Sequence, residues 1–410
     1  MAFQIMEEVG EYGLSRSPIF FYVYDPLYTG KNGFYYVADI YVWYGHITTD
    51  KPSVPNLRLS RYPDAKGGAA FDVSDVCNSF LDDHTARENG ALYLSGCAYC
   101  YVEFGWIDDD GEHLDEDHSD VFAVLKGWSN YMDGVNFDPQ LETFGAGTGN
   151  RWLTDRHTTI RVHDGGWLTL AIPWKSKDYG IYKVRIWDDN SNVVLYDLHS
   201  LIGTATEAQE RALIFQVGLN TWLVDPTNVA AKVAFTSLLD PVHEYYIRGE
   251  NNSGNAVTKT FTFQIVDCAP WSHYTLQFMN RYGVWDYLVC EGRKKNNLQI
   301  ESNEVFRNPL RIDVPGGISV DTPRGQYSIE VMGREGFVVN TGWMHETDNV
   351  LIKQMLMSKR VLHADSVDGK SYQPLVVKMT AFEEKTQQGE KLINYELTIN
   401  LANDYINSVK

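Results

Sequence analysis

At 410 residues the chain is longer than one hydrophobic core usually serves, which points to two or three domains. Apolar residues make up 44% and aromatics 13%, with 25 Tyr and 11 Trp, a composition that excludes a disordered chain. The net charge, 35 − 54 = −19, repels a phosphate backbone and argues against nucleic acid as a direct partner, and no apolar run approaches the ~18 residues needed to cross a bilayer.

Aromatic and β-branched enrichment with 33 Gly and regularly spaced turns points to sheets. The expected class is mainly β: two or three antiparallel β-sandwich-like domains with a few short helices. The expected boundaries are an N-terminal β domain with one short helix (1–145), a middle sandwich-like domain (151–266) and a C-terminal β domain with one short helix (267–410). Glu7 and Glu8 stand where a signal peptide carries basic residues, so the chain is expected to be made and kept in a cytoplasm. Five cysteines are an odd number without disulfide spacing.

In chain order, Ile19–Tyr24 and Phe34–Tyr44 read as aromatic strands joined by a loop with Gly30, Asn32 and Gly33. The second is apolar on both faces. It is expected to be central, or packed against another subunit. Leu57–Tyr62 alternates and stops at Pro63. Val73, Val76, Cys77, Phe80 and Leu81 then fall at i, i+3, i+4, i+7 and i+8, one face of a helix for which Asp72 is the expected N-cap.

Ala91–Trp106 reads as one or two strands and holds Cys97-Ala-Tyr-Cys100. Zinc wants four ligands and no second pair follows, so the two thiols are read as packing residues and no metal ligand is nominated. Asp108–Asp120 carries eight acids and no Lys or Arg. It fails the calcium-loop template, because with Gly111 in the glycine position the first ligand would be Trp106. It is expected to be a solvated hairpin loop, a loose divalent-ion site being the alternative. Gly145–Asn150 is neither a P-loop nor a dinucleotide fingerprint and reads as a join between domains.

Trp167–Ile172, Tyr182–Trp187 and Asn192–Tyr196, with turn residues in each gap, give the middle segment its sandwich pattern. Asp188-Asp189, His157, His163 and His199 have no spacing that specifies a site. Thr260–Val266, Tyr274–Met279 and Val284–Val289 form a meander that turns at Asn280–Gly283, with Trp285 and Tyr287 as core aromatics. Arg293–Lys295 is read as a solvated turn, and 293–325 as a looser polar region. Asn349–Met357 is expected to be a helix capped by Thr347. The alternating run Ile393–Leu401 is expected to pair with Leu375–Met379.

Several of these segments carry a resemblance. Leu276-Gln-Phe-Met-Asn-Arg-Tyr-Gly-Val-Trp-Asp-Tyr287 resembles a segment that recurs in virion structural proteins of tailed phages infecting Bacteroidetes, the crAss-like phages among them. Gly333–Trp343, Lys391–Leu397, and Leu59–Pro63 with Ala70–Ser74 are similar to further segments of those proteins. The resemblance implies a structural component of a virion, a tail hub, ring, collar or baseplate-like subunit. Its implied partners are copies of itself and other tail or portal-proximal proteins, and its implied location is the virion, assembled in the host cytoplasm. A receptor- or glycan-binding tail protein is the alternative, since exposed Tyr and Trp serve sugars and proteins alike. No Gly-x-Ser-x-Gly or His-Glu-x-x-His signature is present, so no catalytic residue, cofactor or metal is nominated and no enzymatic activity is expected.

Overall fold

The computed structural model describes residues 3–26, 33–44, 50–81, 92–94, 98–138, 152–162, 169–173, 183–188, 193–197, 212–216, 244–265, 274–306, 310–313, 317–320, 326–365, 371–378, 382–386, 389 and 391–402. The glycine run 145–150 lies outside them. The chain forms two compact units, Met1–Cys268 with Gln277–Tyr287 and Thr347–Lys359, and Ala269–Leu276 with Leu288–Glu346 and Arg360–Lys410. Segments 1–145 and 151–266 therefore belong to one unit. The fold is mainly β, as the period-2 runs predict, with antiparallel sheets and the two short helices Ser74–Phe80 and Asn349–Met357. Parallel pairs also occur among the described residues, Phe122–Leu125 with Tyr12–Leu14 and Thr159–Val162 with Phe261–Ile265.

The first unit is built on a six-stranded sheet. Its order is Tyr12–Leu14, Phe122–Leu125, Ala98–Asp108, Tyr35–Trp43, Leu57–Arg61, with Gly111–His118 paired to Ala98–Asp108. Successive side chains of a strand point to opposite faces. Tyr36, Ala38, Ile40 and Val42 accordingly join one core with Phe21 and Val23 of Phe20–Tyr24, Phe71 of Gly68–Asp72, and Val73, Cys77 and Leu81 around the first helix. Tyr41 and Trp43 join another with Tyr12, Leu14, Tyr99, Leu153, Tyr282 and Val284. Tyr35–Trp43 is thus central, and both of its apolar faces are covered within the chain rather than by another subunit. The middle residues add a five-stranded sheet, Thr159–Val162, Phe261–Ile265, Glu244–Glu250, Lys183–Asp188, Val193–Asp197. Leu92–Leu94, Ala212–Gln216 and Thr169–Pro173 form a three-stranded one.

The second unit carries the strands Val361–Asp365, Ser371–Val377, Glu396–Leu401, Gln326–Asn340 and Lys295–Phe306, which are neighbours in that order in a seven-stranded sheet that Tyr274–Met279 and Trp285–Cys290 complete. Leu375–Val377 pairs with Ile399–Leu401, the partner the alternation called for.

Several local expectations need correction. Asp72 does not cap the first helix, whose N-cap is Val73. Asp72 closes a strand instead, and its Oδ1 accepts from the N–H groups of Ser74 (3.0 Å) and Ile19 (3.3 Å). Thr347 is not the cap of the second helix either. Asp348 holds that position, and its carboxylate turns away to accept the His157 N–H at 2.9 Å. The run Ile393–Leu401 is interrupted, because buried Tyr395 exchanges backbone and hydroxyl bonds with Thr341 and leaves the ladder. Most of the acidic stretch 108–120 is strand, Gly111–His118, in a tight hairpin with Ala98–Asp108. The described residues of 293–325 are mostly strand. They include the exposed strand Lys295–Phe306 and the hairpin Leu310–Asp313 with Gly317–Val320.

The turn at Asn280–Gly283 shows why glycine is required there. Gly283 has φ +75°, and a Cβ would sit 2.6 Å from the Lys126 carbonyl carbon and 2.7 Å from the Gly127 nitrogen. Gly283→Ala is expected to cost about 2–4 kcal/mol, left-handed strain plus overpacking. Gly254 has φ +81° with no atom closer than 3.9 Å, so Gly254→Ala is expected to cost only about 1 kcal/mol. Urea unfolding midpoints of the two variants measure the difference, and equal losses would refute the steric account.

Candidate functional site

The densest polar cluster of the first unit joins residues 154–157, the turn and strand 280–287, and the second helix. Arg156 is buried, with its guanidinium 3.9 Å from the Tyr287 ring centre, donating to the Tyr287 carbonyl, and 3.4 Å from Asp286 Oδ1. The other Asp286 oxygen accepts from Thr154 Oγ1 at 2.7 Å. Asp155 is the second hub. Its carboxylate meets Arg281 Nε at 2.7 Å and accepts from Tyr282 Oη at 2.7 Å and Gln354 Nε2 at 2.6 Å. Burial, reinforced by Asp155, raises the Tyr282 phenol, and burial raises Tyr287. Both stay neutral hydrogen-bonding groups at any physiological pH. A tyrosine this far from ionising is a poor nucleophile. The cluster fastens three segments together.

The residues singled out in the sequence do not converge. Cys97, His163, His199 and Asp189 lie outside the described residues. Cys100 is buried in the core on its strand and hydrogen-bonded to Cys77 of the first helix. Burial first, and Cys77 second, push its thiol well up. His157 Nδ1 accepts the Thr159 N–H at 3.1 Å, while Asp188 is buried in its strand. On the acidic hairpin, Asp108 Oδ1 accepts the Asp110 N–H at 2.9 Å, Asp117 accepts from the Ile5 N–H at 3.2 Å, and His113 stacks on Trp106 with ring centres 5.1 Å apart. Burial, then Asp120 and Asp117, raise the pKa of nearby Glu8. No group of three metal-ligating side chains is found among the described residues. Lys294 lies over the Tyr274 and Phe337 rings at 4.7 and 4.4 Å, and Lys295 opens the exposed strand.

What sequence reasoning missed is that strand. Lys295–Phe306 runs antiparallel to Gln326–Asn340 from Lys295↔Val338 to Phe306↔Gln326, with a bulge at Asn303/Glu304. The next strand, Glu396–Leu401, covers only Gly336–Asn340. Beyond Gly336 the pair continues as a ribbon two strands wide among the described residues. All twelve residues of Lys295–Phe306 are exposed, so both of its faces are open. Leu298 is 54% exposed, Ile300 62% and Phe306 69%, and the adjoining hairpin exposes Leu310 and Ile318. The opposite edge strand of the same sheet, Trp285–Cys290, is buried almost throughout. Alternation of Leu298 and Ile300 with Gln299 and Glu301 was the available signal. Polar residues around it disguised the period.

No family model matches the chain, and no curated protein matches it. The functional reading therefore rests on residues and geometry. A two-stranded ribbon standing alone in water is only marginally stable, and apolar side chains left in water on it form the kind of patch that marks an interaction site. The ribbon is the candidate functional surface.

Two outcomes follow. Asp286→Ala leaves the buried Arg156 charge without its carboxylate and is expected to cost about 3–5 kcal/mol, most of it recovered when Arg156 is also replaced by Met. Thermal and urea unfolding of the single and double variants measure this, and an additive loss would refute it. Burial pushes the Cys290 thiol to about 12, above any assay pH, and raises Cys100 likewise. At pH 8 both are expected to resist iodoacetamide in the folded protein and to label on unfolding, read by peptide mass spectrometry.

Proposed function

We propose that this chain is a structural subunit of a tailed-phage particle, a hub, ring, collar or baseplate-like component of the tail that joins copies of itself and other tail proteins, with no catalytic activity of its own. The observation that carries the reading is the exposed ribbon of Lys295–Phe306 with Gln326–Asn340, which needs a neighbouring surface to cover Leu298, Ile300 and Phe306. The segments resembling virion proteins supply the kind of assembly. One of them, Gly333–Trp343, runs through the root of the ribbon.

Two other segments offer no such surface. The apolar faces of Tyr35–Trp43 are covered internally, and most of the acidic stretch is a strand paired to Ala98–Asp108. The ribbon's apolar side chains resemble those of subunit interfaces, which are richer in apolar contact than free surfaces.

A receptor-binding role would draw on other residues. Tyr131 is 97% exposed and Met132 89%, on a 3-10 turn held by an Asn130–Asp133 capping box and by Arg281, 3.4 Å from Asp133. Such a fixed aromatic suits contact with a host surface or a glycan. The two roles differ in copy number and position.

Imaging of purified particles, with protein mass spectrometry, is the test. The expected result is a many-copy component of the tail; absence from purified particles overturns the proposal, and a position only at fibre tips with glycan binding replaces it with the receptor role. A Leu298→Lys/Ile300→Lys variant is expected to keep its stability within about 0.5 kcal/mol, because both side chains are already in water, and to be lost from particles.

A further inference from the structure

The outer edge of Lys295–Phe306 is the far edge of the seven-stranded sheet, and among the described residues this strand pairs with Gln326–Asn340 alone. Open edges are normally blunted by lysines, prolines, bulges or a covering segment. Here the only lysine is at the first position and the bulge is at Asn303/Glu304 near the end, so Asn296–Ser302 runs unprotected. No proline interrupts it. An edge of this kind accepts another strand, whose backbone supplies affinity while alternate side chains supply specificity.

We propose that the occupant is a second copy of this chain, its own Lys295–Phe306 strand adding antiparallel about a two-fold axis at Gln299. The inference rests on the reading of the ribbon as an assembly surface and names what it binds. Sequence selects both partner and register. The strand is basic at its start, Lys295, and acidic toward its end, Glu301 and Glu304, so antiparallel self-pairing brings opposite charges together where parallel pairing would align like ones.

Among antiparallel registers, centring on Gln299 sets Leu298 of one copy opposite Ile300 of the other, twice. It places Asn297 opposite Glu301, and it leaves Lys295 diagonal to Glu301, within reach of long side chains. Centring on Glu301 would oppose two carboxylates. Centring on Leu298 or Ile300 leaves one of the two apolar residues facing Asn296 or Ser302. A contact one strand deep is at the small end of interfaces, so a roughly micromolar dimer is expected from isolated protein. In a particle this contact would join subunits pairwise, in addition to whatever contacts build the tail.

The test is symmetric cross-linking of the full chain. Gln299→Cys sits on the proposed axis, where opposite Cα atoms are about 4.5–5.5 Å apart, inside disulfide range. Asn303→Cys, four residues along, would lie about 26 Å from its mate, out of range. Under mild oxidation Gln299→Cys is expected to give a covalent dimer. The wild type and Asn303→Cys, with the native cysteines unchanged, are expected to give at least tenfold less. Sedimentation equilibrium at tens of micromolar is expected to show wild-type dimers that Leu298→Lys/Ile300→Lys abolishes without a change in melting temperature.

Equal cross-linking at both cysteine positions overturns the register. A wild type that stays monomeric at tens of micromolar overturns the self-pairing. If the lysine variant is then still lost from particles, the ribbon binds another protein and the assembly reading stands without this inference. Absence of the wild type from particles would overturn the assembly reading whether or not it dimerises.

Discussion

Burial of one sheet on both faces is the constraint from which the first unit follows. Tyr35–Trp43 runs between Ala98–Asp108 and Leu57–Arg61 with cores on either side, so almost every side chain along it has to be apolar or paired. The exception shows the rule. Asp39 is buried, and it is answered across the ladder by Arg58, whose Nε and Nη2 both reach its carboxylate at 2.7 Å. Tyr36 solves the same problem with its hydroxyl, which donates to the Gly67 carbonyl at 2.7 Å and accepts the Asp25 N–H at 3.0 Å. Burial pushes that phenol to about 12, so it works as a neutral hydrogen-bonding group.

The same necessity produces the cluster around Arg156 and Asp155. Buried ions stabilise little by themselves, because desolvation offsets most of the attraction; what they add is intolerance of any arrangement that leaves one unpaired. Arg156, Asp286, Asp155 and Arg281 can be satisfied together only when residues 154–157, the 280–287 turn and the second helix stand as they do. The backbone adds its own condition, since the turn packs so closely on Lys126 and Gly127 that only glycine fits at 283. The segment Leu276–Tyr287 contains five members of this neighbourhood: Asn280, Arg281, Tyr282, Asp286 and Tyr287. Its composition is accounted for by the fold, whatever the chain assembles with.

The ribbon of the second unit obeys the opposite logic. Where Phe337 and Val339 lie within the sheet they are buried, and beyond Gly336 the same two strands continue into water with Leu298, Ile300 and Phe306 uncovered. A fold that pairs buried Arg156 and Asp39 with opposite charges in one unit leaves apolar side chains on an open edge in the other. Burying apolar surface of this kind removes it from water, which is favourable.

Element type was legible wherever one face of a strand or helix is buried, because burial writes its period into the sequence: Phe20–Tyr24, Lys183–Asp188, Phe261–Ile265 and the helix bearing Val73, Cys77 and Leu81 all show it. Residues that answer distant partners were not legible. Asp72 and Asp348 look like or flank helix caps, and each is engaged by a backbone N–H far along the chain, Ile19 and His157. The acidic hairpin was hidden because its strand exposes charge on an edge, and Lys295–Phe306 because exposed strands need no alternation. The ion cluster could not be found from spacing, since Asp155 and Gln354 are 199 residues apart. Sequence by itself determined the β class and which strands face a core, because transfer of side chains from water depends on local pattern. Only the tertiary structure decided which faces are covered and which edge stays open, because that depends on what the rest of the chain brings opposite each strand.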